Sequence, residues 1–102
     1  MGGTMNRSEL IAELARSAGL PSEGARLAIE ALFGTTVDAG LIAGVLRRGD
    51  RVHLAGFGTF EARARKERTG HNPHTGQRLV IPAAVAPVFR AGTTLKSALR
   101  SS

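Results

Sequence analysis

Between Arg63 and Pro82 the chain reads RARKERTGHNPHTGQRLVIP, and its middle offers almost nothing that a core could bury. Five basic residues flank a tip made of Thr, Gly, His, Asn and Pro. A chain of 102 residues is one domain at most. Setting the stretch aside leaves roughly eighty residues for a core, near the lower limit for a lone globule. Four Phe, with no Trp and no Tyr, supply little aromatic area. The stretch must therefore find its surface outside its own chain, and a dimer sharing one core is expected for the rest.

The local pattern is that of strands. Arg51 to Leu54 opens one, and Gly56-Phe57-Gly58 makes a tight turn or bulge because Gly tolerates a positive φ. Thr59 to Arg65 forms a second strand, with Phe60, Ala62 and Ala64 on one face and Glu61, Arg63 and Arg65 on the other. Gln77 to Ile81 is expected to return beside it. Between them Thr69 to Gly76 is dense in turn formers. The expected product is a long two-stranded arm, about residues 63–80, that projects from the core. A ribbon of this kind is marginal alone in water, so it is expected to be mobile until something binds it.

Helices are expected at both ends. Asn6 can cap the first, with Glu9 completing a capping box. Leu10, Ile11, Leu14, Ala15 and Ala18 fall on one face, and Gly19 stops the helix. A second helix carries Ala25, Ala28, Ile29, Leu32 and Phe33 inward. Gly34-Thr35-Thr36 interrupts that pattern; Val37, Leu41, Ile42, Val45 and Leu46 resume it as a broken helix or a second short one. A final helix at Thr93 to Arg100 buries Leu95, Ala98 and Leu99.

Charge is polarised along the chain. The net charge is +6. Residues 1–46 hold three Arg against five acids, whereas residues 47–102 hold eleven basic residues against three acids. Such a division favours a polyanionic partner, phosphate backbones above all, over a basic face kept only for solubility. Twelve of the fourteen basic residues are Arg, which suits forked phosphate contacts. A slender cationic ribbon also has the width of a DNA groove, which admits two β-strands. At its tip Pro73 is a rigid apolar ring without an N–H. A lone Pro in a turn is ordinarily just a turn residue; beside His71 and Asn72 on a basic arm it also suits a wedge between base steps.

Other chemistries find little support. The chain has no Cys, so disulfides and thiolate metal sites are excluded. No apolar run approaches a membrane span, and the first residues lack the apolar core of a signal peptide, so a cytoplasmic protein is expected. Gly56-x-Gly58 lacks a third Gly and leads into a strand, which fails the context of a nucleotide loop. His71-x-x-His74 has no acidic or Cys partner nearby, so no metal is expected. No nucleophilic triad is recognisable and the acids are scattered along helix faces. Neither an enzyme nor a cofactor or small-molecule substrate is expected.

Four motifs then resemble the HU/IHF family of bacterial nucleoid proteins. They are Gly56-Phe57-Gly58-Thr59-Phe60-Glu61, Arg68-Thr69-Gly70-His71-Asn72-Pro73-His74-Thr75-Gly76, Ile81-Pro82-Ala83, and Pro87-x-Phe89-x-x-Gly92-x-x-Leu95-Lys96. The resemblance runs from about Met5 to Arg100. It implies an α+β fold: a helical base, a three-stranded antiparallel sheet and a protruding β-ribbon arm, intertwined as a dimer. Residues 1–102 then form a single domain, with 5–50 as the dimerisation base, 51–83 as sheet and arm, and 93–100 as the last helix.

It further implies largely sequence-nonspecific bending and compaction of double-stranded DNA, with bent, nicked or kinked duplexes preferred, in the nucleoid. Arg63, Arg65, Lys66, Arg68, His71, Asn72 and Arg78 would line the arm, and Pro73 would wedge between base pairs of the minor groove. Arg7, Arg51 and Lys96 would touch phosphates beside the body. A homodimer is expected, with a heterodimer with a paralogue left open. So do a site-preferring subunit of the IHF kind and a structural or RNA-associated protein that keeps the fold. The chain departs from the family pattern in being longer at Gly34 to Gly40, in His71 where Arg is usual, and in Val85 and Thr93 where Lys is often found.

Overall fold

The computed structural model describes residues 2–36 and 40–100, in two compact units, Met1–Gly44 and Val45–Ser102. The first unit is helical. Helix α1, Arg7–Ala18, starts with the expected capping box: the Glu9 N–H donates to Asn6 Oδ1 at 2.9 Å, and the Asn6 N–H donates to Glu9 Oε1 at 3.2 Å. It ends at Gly19, whose φ of 67° is the left-handed cap that glycine supplies without strain. Helix α2, Ser22–Phe33, enters through Pro21 and packs against α1. Its Ala25 and Ile29 are the buried apolar residues among those described. Ala28 is only half-buried, and Leu32 and Phe33 are exposed. The inward face that the periodicity draws is correct in direction, yet this chain alone does not cover it.

Helix α3, Leu41–Arg47, is separate from α2, so the interrupted pattern resolves into two helices. Gly40 precedes it at φ 99°, and a Cβ built there would lie 1.7 Å from the Gly34 carbonyl oxygen. The two glycines thus bring the ends of the inserted segment against each other. Val37 lies outside the described residues.

The second unit is built on strands. Strand β1, Val52–Leu54, leads through a tight turn closed by the Phe57 N–H on the Leu54 carbonyl (2.9 Å), with Gly56 at φ 82°. Strand β2, Gly58–Arg65, pairs with β1 on one side. Its other side corrects the expected topology. Gln77 to Ile81 does not return beside Thr59 to Arg65; that place belongs to β5, Ala84–Ala91, in register from Gly58 opposite Ala91 to Arg65 opposite Ala84. The three-stranded sheet has order β1-β2-β5, and the arm is a second, two-stranded sheet of β3, Arg68–His71, and β4, Arg78–Ile81. Pro87 in the middle of β5 is tolerated because β5 is an edge strand, where a residue without an N–H need not break a ladder.

One face of the three-stranded sheet is apolar. Phe60 lies opposite Phe89 with ring centroids 4.9 Å apart, and Phe57 adds a third ring 5.6 Å from Phe89. Helix α4, Thr93–Arg100, follows Gly92, whose N–H donates to the Phe57 carbonyl at 2.8 Å. Leu95 is half-buried there, but Ala98 is exposed and Leu99 is 76% exposed, so the expected apolar stripe finds no cover within the chain. Among the described residues no helix is long and apolar enough to cross a membrane.

Candidate nucleic-acid interface

The cations of the two units are treated differently. In the helical unit each arginine has a carboxylate. Arg16 pairs with Glu13 at 2.5 Å, Arg26 bridges Glu23 (2.6 Å) and Glu30 (2.8 Å), and Arg7 lies 3.8 Å from Glu30. The hydrogen bond from Arg26 holds the Glu23 carboxyl below the usual range, and the same contact, with the charge of Glu30 added, raises the Arg26 guanidinium. In the strand unit, by contrast, no carboxylate among the described residues lies within ion-pair distance of Arg51, Arg65, Lys66, Arg68, Arg78 or Lys96. Those six positive charges have no ion pair among the described residues. Arg7, expected to touch phosphate, already has one.

Register places the sheet cations. Thr59, Glu61, Arg63 and Arg65 share one face of β2 because strand residues alternate sides. His53 lies opposite Thr59 and the two side chains share a 2.8 Å hydrogen bond. Arg90 lies opposite Thr59 from the other strand, so it belongs to the same polar face. Arg63 and Arg65 stand opposite Ala86 and Ala84, small residues that leave both guanidinia exposed. Glu61, only 15% exposed, is the exception on this face: it sits 3.4 Å from Arg90 and 3.8 Å from Arg63. Arg51, His53, Thr59 and Arg90 also line one open cleft of about 540 Å³, beside the start of α4.

Arg63 and Arg65 therefore belong to the body sheet and not to the arm ribbon. The track turns at Lys66-Glu67, between β2 and β3, and the return turns at Pro82-Ala83. At that corner Arg63, Arg65, Lys66 and Arg68, with the acid Glu67 among them, line a groove of about 510 Å³ together with Ile81, Pro82 and Ala84. Beyond it the ribbon has two faces. Arg68 and Gly70 share one with Leu79 and Ile81; Thr69 and His71 share the other with Val80 and Arg78. Leu79, Val80 and Ile81 are all exposed, so the arm carries apolar surface as well as charge.

The tip is ordered by its own hydrogen bonds. The Asn72 N–H donates to the Gln77 carbonyl (2.8 Å), and the Gly76 N–H donates to the Asn72 carbonyl (2.8 Å). Asn72 Oδ1 accepts from the His74 N–H at 2.8 Å and the Thr75 N–H at 3.4 Å. Pro73 sits exposed inside this loop.

Two residues of the face, His53 and Arg90, escape the sequence pattern. His53 could have been found from its parity with Arg51, the residue just before β1. Arg90 is legible only once Ala84–Ala91 is recognised as a strand, and Pro87 hides it. Lys96 is exposed on α4, in the same unit as the sheet.

Comparison with known proteins matches this architecture throughout. A family model described as bacterial DNA-binding protein matches residues 5–100. The DNA-binding protein HU of Geobacillus stearothermophilus is 43% identical over 96 residues, covering 94% of this chain and all of that protein. HU-alpha of Vibrio cholerae is also 43% identical, with the same coverage of both. The Anabaena HU structure, solved as a cocrystal with DNA, superposes with a TM-score of 0.81 at 35% identity, over 96% of this chain and 100% of that one.

Proposed function

The chain belongs to the HU/IHF family of bacterial DNA-binding proteins, and on that premise we propose that it is an architectural protein that bends and compacts double-stranded DNA with little sequence preference. The observation that carries the proposal is a set of cations of the strand unit, Arg51, Arg65, Lys66, Arg68, Arg78 and Lys96, that have no carboxylate partner among the described residues. A phosphate backbone supplies the missing counterions and releases its own condensed cations in return. The body face, with Arg51, His53, Arg63, Arg65 and Arg90, is proposed to hold the backbone. The arm, with Arg68, His71, Asn72 and Arg78, enters the minor groove, where base edges carry only a degenerate code.

Architectural proteins of the minor groove frequently insert an apolar side chain between base steps and kink the duplex. Here Pro73 is the residue proposed to unstack a base step, and exposed Leu79, Val80 and Ile81 would lie against sugars. Unstacking costs energy, which the wider contact of a bent duplex offsets. Two chains are proposed to share one core, so that two arms embrace the duplex. Support comes from the apolar faces of α2, α4 and the sheet that one chain leaves bare: Phe33, Phe57, Phe89 and Leu99 are each exposed.

The test is a titration against straight, nicked and RNA duplexes across a range of salt. Tighter binding to nicked than to straight DNA, weakening steeply with salt, is the expected result. Equal affinity for straight and nicked duplexes would refute bending as the function. Binding confined to one sequence would instead make the chain a site-preferring subunit.

A further inference from the structure

Asn72 was expected, with His71 and Arg78, to contact DNA directly. Its geometry assigns it other work. The side-chain oxygen turns inward and spans Pro73 to accept the N–H groups of His74 and Thr75, at 2.8 and 3.4 Å. Its backbone is tied across the loop to Gln77 and Gly76, each at 2.8 Å. Asn72 is half-buried, whereas residues 73 to 77 are all exposed. Pro73 has no N–H to donate, and among the described residues no hydrogen bond reaches its carbonyl. It is held only through its chain neighbours, and both of those are fixed by Asn72. An oxygen committed to two backbone donors is also unavailable to accept from a base edge.

We propose that Asn72 is a positioning residue: its Oδ1 closes a side-chain turn that fixes the direction in which Pro73 is presented. This rests on Pro73 being the wedge of the function proposed above. The turn matters because an apolar ring can separate stacked bases only along a narrow line of approach, and a loop free to reorient would spread the ring over many. Asn suits the position since its oxygen reproduces a backbone acceptor two residues ahead. The amide nitrogen plays no role in this turn. Removing the acceptor should therefore damage bending far more than binding, and any residue restoring an acceptor should repair it.

The experiment compares Asn72→Ala, Asn72→Asp and Asn72→Ser with Pro73→Ala, in the full-length protein. Bending is read by energy transfer across an end-labelled nicked duplex at saturating protein, which removes affinity differences from the comparison. Order of the tip is read in the free protein from the backbone order parameters of the His74 and Thr75 amides. Losing two neutral hydrogen bonds shifts the loop equilibrium by about tenfold. Asn72→Ala is expected to drop both order parameters below about 0.6 and to lose most of the saturating bend. Asn72→Asp and Asn72→Ser are expected to restore both, although the added charge of Asp lowers affinity.

If Asn72→Ala bends DNA as the native protein does, or keeps an ordered tip, the proposal is overturned. It is equally overturned if Asp and Ser fail as Ala does, because the amide nitrogen would then be the operative group, as a direct DNA contact. Pro73→Ala separates this from the wedge itself. Unchanged bending in Pro73→Ala refutes the wedge, and the order parameters alone then decide whether Asn72 is the scaffold of the tip.

Discussion

His71 faces Arg78 across the last rung of the arm, next to the Pro73 loop. An Arg there would present a forked, permanently charged group, whereas an imidazole presents at most two donors. His71→Arg is therefore expected to tighten binding to nicked DNA. It should also steepen the slope of log affinity against log salt by about 0.9, the value for one added phosphate contact. An unchanged slope would place residue 71 away from the backbone. Gly58 makes a second single-residue test. A Cβ there would lie 2.6 Å from both the Arg90 carbonyl oxygen and the Phe89 ring, which no flexible side-chain end can relieve. Gly58→Ala is expected to cost about 1–3 kcal/mol in urea unfolding, the usual range for overpacking a filled site. At this scale the sequence was most readable where local chemistry decides the outcome. Asn6 with Glu9, Gly19 and Gly56 each satisfy a need of their own neighbours. Arg90 was not readable, because its membership of the face depends on which strand pairs with which.

Strand pairing is a property of elements, and there the sequence misleads in one respect. Residues 63 to 81 look like one continuous hairpin because charge and alternation run through it without a break. The structure divides it at Lys66-Glu67 and Pro82-Ala83, giving β2 to the body sheet and leaving a short ribbon of β3 and β4. The divider is β5: its eight residues take every partner position along one edge of β2, the place a returning Arg78–Ile81 was expected to fill, and β1 pairs with Gly58 to Phe60 on the other edge. Pro87 conceals β5 from a propensity argument, and only its edge position makes the strand tolerable. The relocation of Arg63 and Arg65 has a consequence for binding. On the body sheet, with Glu61 3.8 Å from Arg63, the two differ in freedom: Arg63 has a carboxylate within ion-pair distance and Arg65 has none among the described residues. Arg65→Ala is expected to flatten the salt slope by about 0.9, as befits a full phosphate contact. Arg63→Ala should flatten it less, because Arg63 already shares the Glu61 carboxylate with Arg90 and offers phosphate only part of its charge. Equal slopes for the two variants would show that Glu61 does not compete with phosphate.

For the whole molecule the deciding quantity is surface. Large apolar side chains are exposed in both units: Phe33 at the end of α2, Phe57 and Phe89 of the sheet face, and Leu99 of α4. Such residues cannot stay in water in a stable fold whose own buried core is Ala25 and Ile29 among the described residues. The scarcity of core is legible in the sequence, since setting the arm aside leaves too few large side chains. The faces that a partner covers are not, because helical periodicity marks an apolar stripe without saying whose stripe it meets. Folding should accordingly be inseparable from association: sedimentation is expected to find a dimer wherever the protein is folded. The melting temperature should rise with protein concentration, as mass action requires when two unfolded chains make one native dimer. A folded monomer in sedimentation, or a melting temperature independent of concentration over a hundredfold range, would contradict a shared core. It would also leave each arm to meet DNA alone, without the opposed partner that a two-armed embrace requires.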